Sequence, residues 1–309
     1  MGSVDLGVLG DTLAATLGEQ VVRGEPLGPF TTYRVGGPAA VLVHVQRVAE
    51  LIPVAEALRV SGAPMVVVGR GSNLLVADRG FAGLAVVLEG ELEAINFTPT
   101  QVRAGGAVAL PVLARCAAAE GRAGLEFYVG IPGSVGGAVR MNAGGHGHET
   151  RDVLRSATIA DLATDGVARA RPVADLGLGY RTSALGPTEV VVGAELAVEV
   201  DDPAACEARL TEVVRWRRRH QPGGSNAGSV FRNPPGDHAG RLVEECGCKG
   251  LRVGGAQVST KHANFIQAER GATAADVRTL IETVRRRVAG ATGVELETEL
   301  HLVGFEESG

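Results

Sequence analysis

The spacing of apolar residues along the chain switches repeatedly between a helical period and short continuous runs. Helical spacing predicts a leading helix and linker within 1–28, and further helices at 48–60, 110–120, 202–219, 237–246 and 273–288, the last opened by a capping box at Thr273. Short apolar or alternating runs predict strands at Met65–Val68, 84–88, 102–104 and 294–303, and a strand-rich stretch over 155–200 whose clearest run is 189–200. This interleaving predicts a mixed α/β (α+β) protein.

A helix start divides the chain near residue 200. Asp202-Pro203 is favourable there, because Asp accepts hydrogen bonds from the first helical N–H groups and Pro suits the first helical position. We therefore predict a first domain over 1–200, with subdomains at about 1–89 and 90–200, and a second domain over 201–309.

Composition and charge narrow the class of protein. A chain of 309 residues with 45% hydrophobic and 21% charged residues has enough apolar material for two globular domains. The net charge of -5 gives no indication of nucleic-acid binding. No signal peptide and no apolar stretch near the ~18 residues of a membrane span are visible, so we expect a cytoplasmic protein without membrane contact.

The four cysteines are expected to be reduced, because disulfides are rare in the cytoplasm. Cys246 and Cys248 are too closely spaced for the usual zinc motifs. We predict no metal site and no obligate protein partner.

Two glycine-rich blocks have the composition of phosphate-binding loops. The first, at 69–75, follows a predicted strand directly, and the second, at 130–137, has four glycines in eight residues. Glycine permits positive φ and close backbone approach, and successive N–H groups can then form an anion-binding nest. The first block does not match the Rossmann or Walker pattern. For the first block, an ordinary turn after a strand is the alternative.

Two further blocks, at 228–234 and 255–265, carry polar residues that an ordinary core would not need. Ser229 could be a turn hydroxyl after Gly228, and no Gly-x-Ser-x-Gly pattern surrounds it, so serine hydrolase chemistry is not expected. In the predicted last strand, Glu299 shares one face with three other polar residues, so spacing alone does not select it.

Taken in order, the four blocks resemble those of the UDP-N-acetylenolpyruvoylglucosamine reductase family, and the resemblance extends from about Thr31 to Gly304. It implies an FAD-binding domain of the vanillyl-alcohol oxidase (PCMH) type with two α/β subdomains, followed by a C-terminal α+β substrate domain. It also implies FAD and NADPH as cofactors. Several oxidases of that type carry a flavin-linked histidine in the first loop, where this chain has Ser72 and Asn73. We therefore expect non-covalent FAD.

The resemblance also implies which residues contact the ligands. Those expected to contact FAD are Tyr33, Arg34, Gly69, Arg70, Gly71, Ser72, Asn73, Leu74, Gly130, Ile131, Pro132, Gly133, Ser134, Gly136, Gly137 and Ala138. Those expected to contact the substrate are Tyr180, Asn233, Arg241, Gln257 and His262, with Arg232, Lys261 and Asn264 as further candidates for either ligand. A hydrogen-bonded structural histidine is an equal alternative for His262.

The activity implied by the resemblance is the NADPH-dependent reduction of UDP-N-acetylglucosamine enolpyruvate to UDP-N-acetylmuramate in peptidoglycan biosynthesis. Hydride passes from N5 of reduced FAD to the vinyl carbon, and Ser229 matches the serine that supplies the proton. Arg181 matches the catalytic arginine, whose planar guanidinium can bind a carboxylate bidentately. Glu299 matches the catalytic glutamate, which would polarise the carboxylate or enter the proton relay.

No tyrosine follows Tyr180, so the chain resembles the shorter subclass of the family, which lacks a tyrosine lid. One alternative is another FAD-dependent alcohol or sugar oxidase or dehydrogenase on the same fold. A non-catalytic flavin or UDP-sugar sensor is a second. An enzyme that removes hydride needs no serine proton donor, so the block around Ser229 favours the reductase.

Overall fold

The computed structural model describes residues 4–306, which divide into two compact units. The first unit comprises 4–25, 39–70 and 82–216, and the second comprises 26–38, 71–81 and 217–306. Among the described residues, no helix is both long enough and apolar enough to cross a membrane.

The described residues form eight α-helices and eighteen strands. The helices are α1 Leu6–Leu17, α2 Leu51–Ser61, α3 Leu110–Ala119, α4 Val135–Met141, α5 Thr150–Val153, α6 Pro203–His220, α7 Ala239–Glu245 and α8 Ala274–Thr292. The strands are β1 Val21–Pro26, β2 Pro38–Val45, β3 Met65–Val68, β4 Leu74–Val76, β5 Phe81–Leu88, β6 Ile95–Phe97, β7 Gln101–Gly105, β8 Arg122–Ala123, β9 Gly144–Gly145, β10 His148–Glu149, β11 Leu154–Asp161, β12 Ala168–Pro172, β13 Glu189–Ala197, β14 Glu199–Val200, β15 Arg252–Val253, β16 Ala256–Val258, β17 Ile266–Ala268 and β18 His301–Val303.

The first unit is built on two sheets. One has the strand order β1-β2-β5-β3, with β3 parallel to β5 and Met65 opposite Leu84. The other has the order β12-β11-β13-β7-β6, in which all neighbouring strands are antiparallel. Helices α1 and α2 bury leucines and valines in the core of the first sheet, while α3, α4 and the first turns of α6 contribute to the core of the second. Both cores follow from apolar residues that recur on one face of each element.

The second unit packs α7 and α8 with the antiparallel sheet β15-β16-β17 around one apolar core. Strand β18 pairs in parallel with β4, with His301 opposite Leu74. Helix α8 begins at a capping box in which Thr273 accepts from the Asp276 N–H group. The carboxylate of Asp78 adds two more cap bonds, from the backbone N–H groups of the first two α8 residues at 2.8 and 2.9 Å. These bonds satisfy helix N–H groups that have no partner within the helix.

Most predicted elements are present, and three differ in extent. The predicted linker within 1–28 contains strand β1, an edge strand with no buried residue, which the sequence pattern did not reveal. Helix α8 continues to Thr292, where Gly293 in the left-handed conformation ends it. The predicted strand 294–303 was wrong over its first part, since regular pairing with β4 begins only at His301.

The two compact units do not follow the predicted division after residue 200. Helix α6 buries Cys206 and Leu210 in the core of the first unit, so that unit extends to Trp216. Two short segments before residue 82 belong to the second unit because Tyr33, Val35 and Leu75 are buried in its core. Segments so distant along the chain cannot be grouped from local sequence pattern.

Candidate active site

The first glycine block begins in the first unit with Gly69 and Arg70, directly after β3. A Cβ atom added at Gly69 would lie 2.5 Å from the Ser134 hydroxyl oxygen. That separation is shorter than any normal non-bonded contact, so only glycine fits without a shift. The start of the first block and the second block are therefore neighbours within this unit.

The second block is bonded to the segment that joins β7 to α3. The Gly133 carbonyl accepts from the Leu110 N–H group at 2.9 Å, and the Gly136 N–H group donates to the Gly106 carbonyl at the same distance. Ser134 is buried and begins α4, its hydroxyl accepting from the Gly137 N–H group at 3.3 Å. Among the other residues predicted to contact FAD here, Gly130 and Ala138 are buried. Ile131 is half-buried and Pro132 is exposed.

The remainder of the first block lies in the second unit, where Gly71 is buried against residues 30–32. A Cβ atom added at Gly71 would lie 2.1 Å from the Phe30 carbonyl oxygen, and φ at this glycine is +57°. The Thr32 N–H group donates to the Gly71 carbonyl at 3.3 Å. The backbone path of this loop therefore depends on glycine for both space and conformation.

Tyr33 presents a polar atom that the protein itself leaves unsatisfied. Its side chain is 1% exposed, and its hydroxyl has no hydrogen-bond partner among residues 4–306. The neighbouring Thr32 hydroxyl is in the same situation. Burial raises the pKa of Tyr33, which keeps the hydroxyl protonated and able to donate. Buried polar groups without a partner are rare in native proteins, so these two atoms fit a site for a polar ligand.

Two other residues predicted to contact FAD, unlike Tyr33, form hydrogen bonds within the protein. Arg34 is exposed, has a positive φ of 61°, and donates to the Pro29 carbonyl at 2.8 Å. The side-chain amide of Asn73 donates to the Glu299 backbone carbonyl at 3.0 Å. The Asn73 backbone carbonyl accepts from the His301 N–H group at 3.0 Å. Asn73 thus joins the glycine block to the segment that carries Glu299, whereas Ser72 and Leu74 on either side of it are half-buried.

Ser229 and Glu299 are brought together by backbone pairing within the second unit. The Glu299 N–H group donates to the Val230 carbonyl at 2.8 Å, and the Arg232 N–H group donates to the Glu297 carbonyl at 2.9 Å. Phe231 and Thr298 form an isolated antiparallel bridge between these bonds. Ser229 is half-buried and follows Gly228, whose φ is +75°. Two of the three predicted catalytic residues therefore lie on directly paired segments.

Arg181, the third, belongs to the first unit and lies in a tight turn. Its φ is +54°, and its guanidinium donates to the Gly144 carbonyl at 3.1 Å. The Glu149 carboxylate lies 3.9 Å from the same guanidinium, and the Tyr180 ring centroid lies 5.1 Å from its central carbon. Tyr180 itself is 47% exposed, so its ring remains accessible for a ligand.

The other predicted substrate contacts make local hydrogen bonds. Asn233 accepts from the Ala239 N–H group at the start of α7, and Gln257 accepts from Arg252. Arg241 bonds two acidic residues of its own region, and its hydrogen bond lowers the pKa of Asp237 to about 2. His262 accepts at Nδ1 from the Asn264 N–H group at 3.2 Å, and burial lowers its pKa. Their roles toward a substrate stay predictions.

Asn264 was expected among ligand contacts, but its amide is engaged with backbone. It accepts from the Phe231 N–H group at 2.9 Å and donates to the Phe231 carbonyl at 2.8 Å. Sequence reasoning missed Asn142 and Glu149, which contact the turn of Arg181. The only available signal was their position just after the second glycine block. No group of three or more His, Cys, Asp or Glu side chains among residues 4–306 could hold a metal ion.

These features are those of an FAD-binding protein. A family model described as an FAD binding domain matches residues 39–170. The two glycine blocks and the unsatisfied Tyr33 hydroxyl fit that cofactor. This match confirms the predicted α/β fold class and the prediction of FAD. A second family model, described as the C-terminal domain of UDP-N-acetylenolpyruvoylglucosamine reductase, matches residues 220–303.

Comparisons over more than nine-tenths of the chain lead to one family. The UDP-N-acetylenolpyruvoylglucosamine reductase of Alkalilimnicola ehrlichii is 44% identical over 92% of this chain and 95% of its own length. That of Acidiphilium cryptum is 46% identical over 91% of this chain and 90% of its own. The crystal structure of the Thermus caldophilus enzyme matches with a TM-score of 0.79 at 38% identity, covering 92% of this chain and 98% of that one. The chain belongs to the UDP-N-acetylenolpyruvoylglucosamine reductase family, which confirms the predicted resemblance.

Proposed function

We propose that this protein reduces UDP-N-acetylglucosamine enolpyruvate to UDP-N-acetylmuramate with NADPH, a step in building the peptidoglycan cell wall. Family membership over nearly the whole chain supports the reaction. The observation that carries the proposal is the backbone pairing of the Ser229 segment with the Glu299 segment. An oxidase or dehydrogenase on the same fold would have no use for a serine donor at this place.

The two glycine blocks, with Tyr33, would hold the FAD. Gly69 and Gly71 leave no room for a side chain, so backbone N–H groups can approach a phosphate closely. The Tyr33 hydroxyl, kept protonated by burial, would donate to the cofactor. Bound FAD supplies the two-electron chemistry that links NADPH oxidation to reduction of the vinyl bond.

Ser229 would deliver the proton to the carbon next to the one that receives the hydride. A serine hydroxyl is a weak acid, so its contribution depends on position. The left-handed Gly228 before it and the paired Val230 after it fix the backbone on both sides. Glu299, on the partner segment, would orient the substrate carboxylate or return a proton to the serine. A positioned general acid contributes about 10² to 10⁴ in rate.

Arg181 would bind the substrate carboxylate, where negative charge gathers as the vinyl bond is reduced. A guanidinium matches a carboxylate with two parallel hydrogen bonds. Fixed donors aimed at developing charge lower a barrier more than mobile ones, because they need no reorganisation during the reaction. The held turn of Arg181 suits this role.

The test separates the two half-reactions by anaerobic stopped-flow absorbance at the flavin band. In the wild type, NADPH should bleach the band and the enolpyruvyl sugar should restore it. Ser229→Ala should keep the bleaching rate and slow the restoration by about 100-fold or more. Ser225→Ala is the matched control, because Ser225 holds Ala268 through its backbone carbonyl, which alanine retains.

Other outcomes would change the conclusion. Equal slowing of both half-reactions in Ser229→Ala would contradict the role of the serine. Bleaching without restoration in the wild type would move the assignment to the FAD-dependent oxidoreductase alternative. A purified protein that is colourless and does not take up FAD would contradict the cofactor assignment.

A further inference from the structure

The turn that carries Arg181 has an unfavourable backbone conformation. Arg181 is one of four non-glycine residues among 4–306 with a positive φ, a region that side chains disfavour. Gly179 and Thr182 close the turn with two mutual backbone hydrogen bonds of 3.1 and 3.3 Å. Such a conformation persists only where surrounding contacts determine it, and strained residues cluster at functional sites.

Asn142 supplies one of those contacts. Its side chain is fully buried, and its amide nitrogen donates to the Gly179 carbonyl at 2.9 Å. The same nitrogen donates to the Glu149 carboxylate at 3.0 Å, and the amide oxygen accepts from the Arg151 N–H group at 2.9 Å. One side chain thus ties the Arg181 turn to the segment that carries Glu149.

Glu149 then acts on the guanidinium itself. One carboxylate oxygen is held by Asn142 and by the Arg151 side chain at 2.8 Å. The other lies 3.9 Å from the Arg181 guanidinium, which is too long for a hydrogen bond but close enough for charge attraction. Both side chains are only 20% exposed, so solvent screens this attraction less than at the surface. Arg181 also donates to the carbonyl of Gly144, the β9 residue that pairs with Glu149 of β10.

We propose that Glu149 is a positioning residue that aims the Arg181 guanidinium, which extends from the backbone turn that Asn142 holds. This inference rests on the proposed function, in which Arg181 binds the substrate carboxylate. The loose 3.9 Å pairing orients the guanidinium without closing a bidentate pair, the geometry that a substrate carboxylate would use.

The first test is the two half-reactions in Glu149→Gln, which keeps the shape and removes the charge. Restoration of the flavin band by the enolpyruvyl sugar should slow by about 10-fold, while bleaching by NADPH should stay within about 2-fold. In an Arg181→Ala background the same change should have no further effect, because Glu149 acts through Arg181. Glu195→Gln is the control, since Glu195 pairs with Arg103 and is assigned no role in the reaction.

A second measurement reads the position of Arg181 without any reaction. In the ¹⁵N-labelled holoenzyme, the Arg181 Nε–H resonance, assigned by its loss in Arg181→Lys, should have a high heteronuclear NOE. That value should fall in Glu149→Gln. If Glu149→Gln does not fold, Glu149→Asp gives the same test, because it keeps the charge and withdraws it by one methylene.

Each outcome decides the inference. An unchanged NOE in the variant, equal slowing of both half-reactions, or an additive effect in the Arg181→Ala background would overturn it. If the wild type is not reoxidised by the enolpyruvyl sugar but the NOE still falls in Glu149→Gln, the proposed function fails and the positioning of Arg181 by Glu149 stands.

Discussion

The Asn264 side chain stabilises the segment next to Ser229 by forming the backbone hydrogen bonds that a neighbouring strand would form in a sheet. Its amide oxygen accepts from the Phe231 N–H group at 2.9 Å, and its amide nitrogen donates to the Phe231 carbonyl at 2.8 Å. The Asn264 backbone carbonyl also accepts from the Val230 N–H group at 2.9 Å. Asn264→Ala would remove the two side-chain bonds and leave the third.

The magnitude follows from the burial of both residues. Asn264 is 4% exposed and Phe231 is 2% exposed, so water does not readily replace the lost partners. An unsatisfied buried N–H or C=O group costs about 1–3 kcal/mol. Two such groups predict that Asn264→Ala lowers the free energy of unfolding by about 2–6 kcal/mol.

Urea denaturation of the holoenzyme, followed by circular dichroism, measures this change. The control is Gln267→Ala, because the Gln267 amide donates to the Gly223 carbonyl at 2.8 Å in an exposed position. Its loss should cost at most about 1 kcal/mol, since water can replace the donor. The reasoning would be refuted if Asn264→Ala cost no more than Gln267→Ala.

Two further predictions concern the first glycine block and a buried histidine. Gly71→Ala should abolish FAD retention on gel filtration, because its Cβ would lie 2.1 Å from the Phe30 carbonyl oxygen; Gly62→Ala, with a similar φ of +62° and open space, should retain FAD. Burial lowers the pKa of His262 from its ordinary value of about 6.5, so stability from this group is complete above that pH and falls as the pH drops toward the lower folded value. Urea denaturation at several pH values should show that the free energy of unfolding falls less steeply with decreasing pH in His262→Gln than in the wild type. An equal dependence on pH in both proteins would contradict a lowered pKa at His262.

Elements whose signal is local were predicted closely. Strand β3 has the predicted bounds, Met65–Val68, because a continuous apolar run between turn residues has one favourable conformation. The capping box at Thr273 marked the start of α8, since both partners lie within one helical turn. The glycine blocks were recognised for the same reason: their composition alone indicates close backbone approach.

The predicted last strand failed because the chain changes partner within it. Glu297 and Glu299 pair with the segment around Phe231, whereas His301 pairs with β4. Asn73 bonds the backbone at both Glu299 and His301, where the change occurs. Alternation of polar residues continues through such a change, so the sequence pattern gives no sign of it.

An asparagine holds the backbone near two of the proposed catalytic residues, and the chemistry of its side chain explains why. Near Ser229, the Asn264 amide satisfies both the N–H group and the carbonyl of Phe231. The Asn142 amide donates to the Gly179 carbonyl of the Arg181 turn and accepts from the backbone N–H group of Arg151, on the segment that carries Glu149. Only a side chain with both a donor and an acceptor can do this; a carboxylate accepts only, and an alkyl group does neither. Each of these amides therefore satisfies backbone groups that a neighbouring strand would satisfy in a regular sheet.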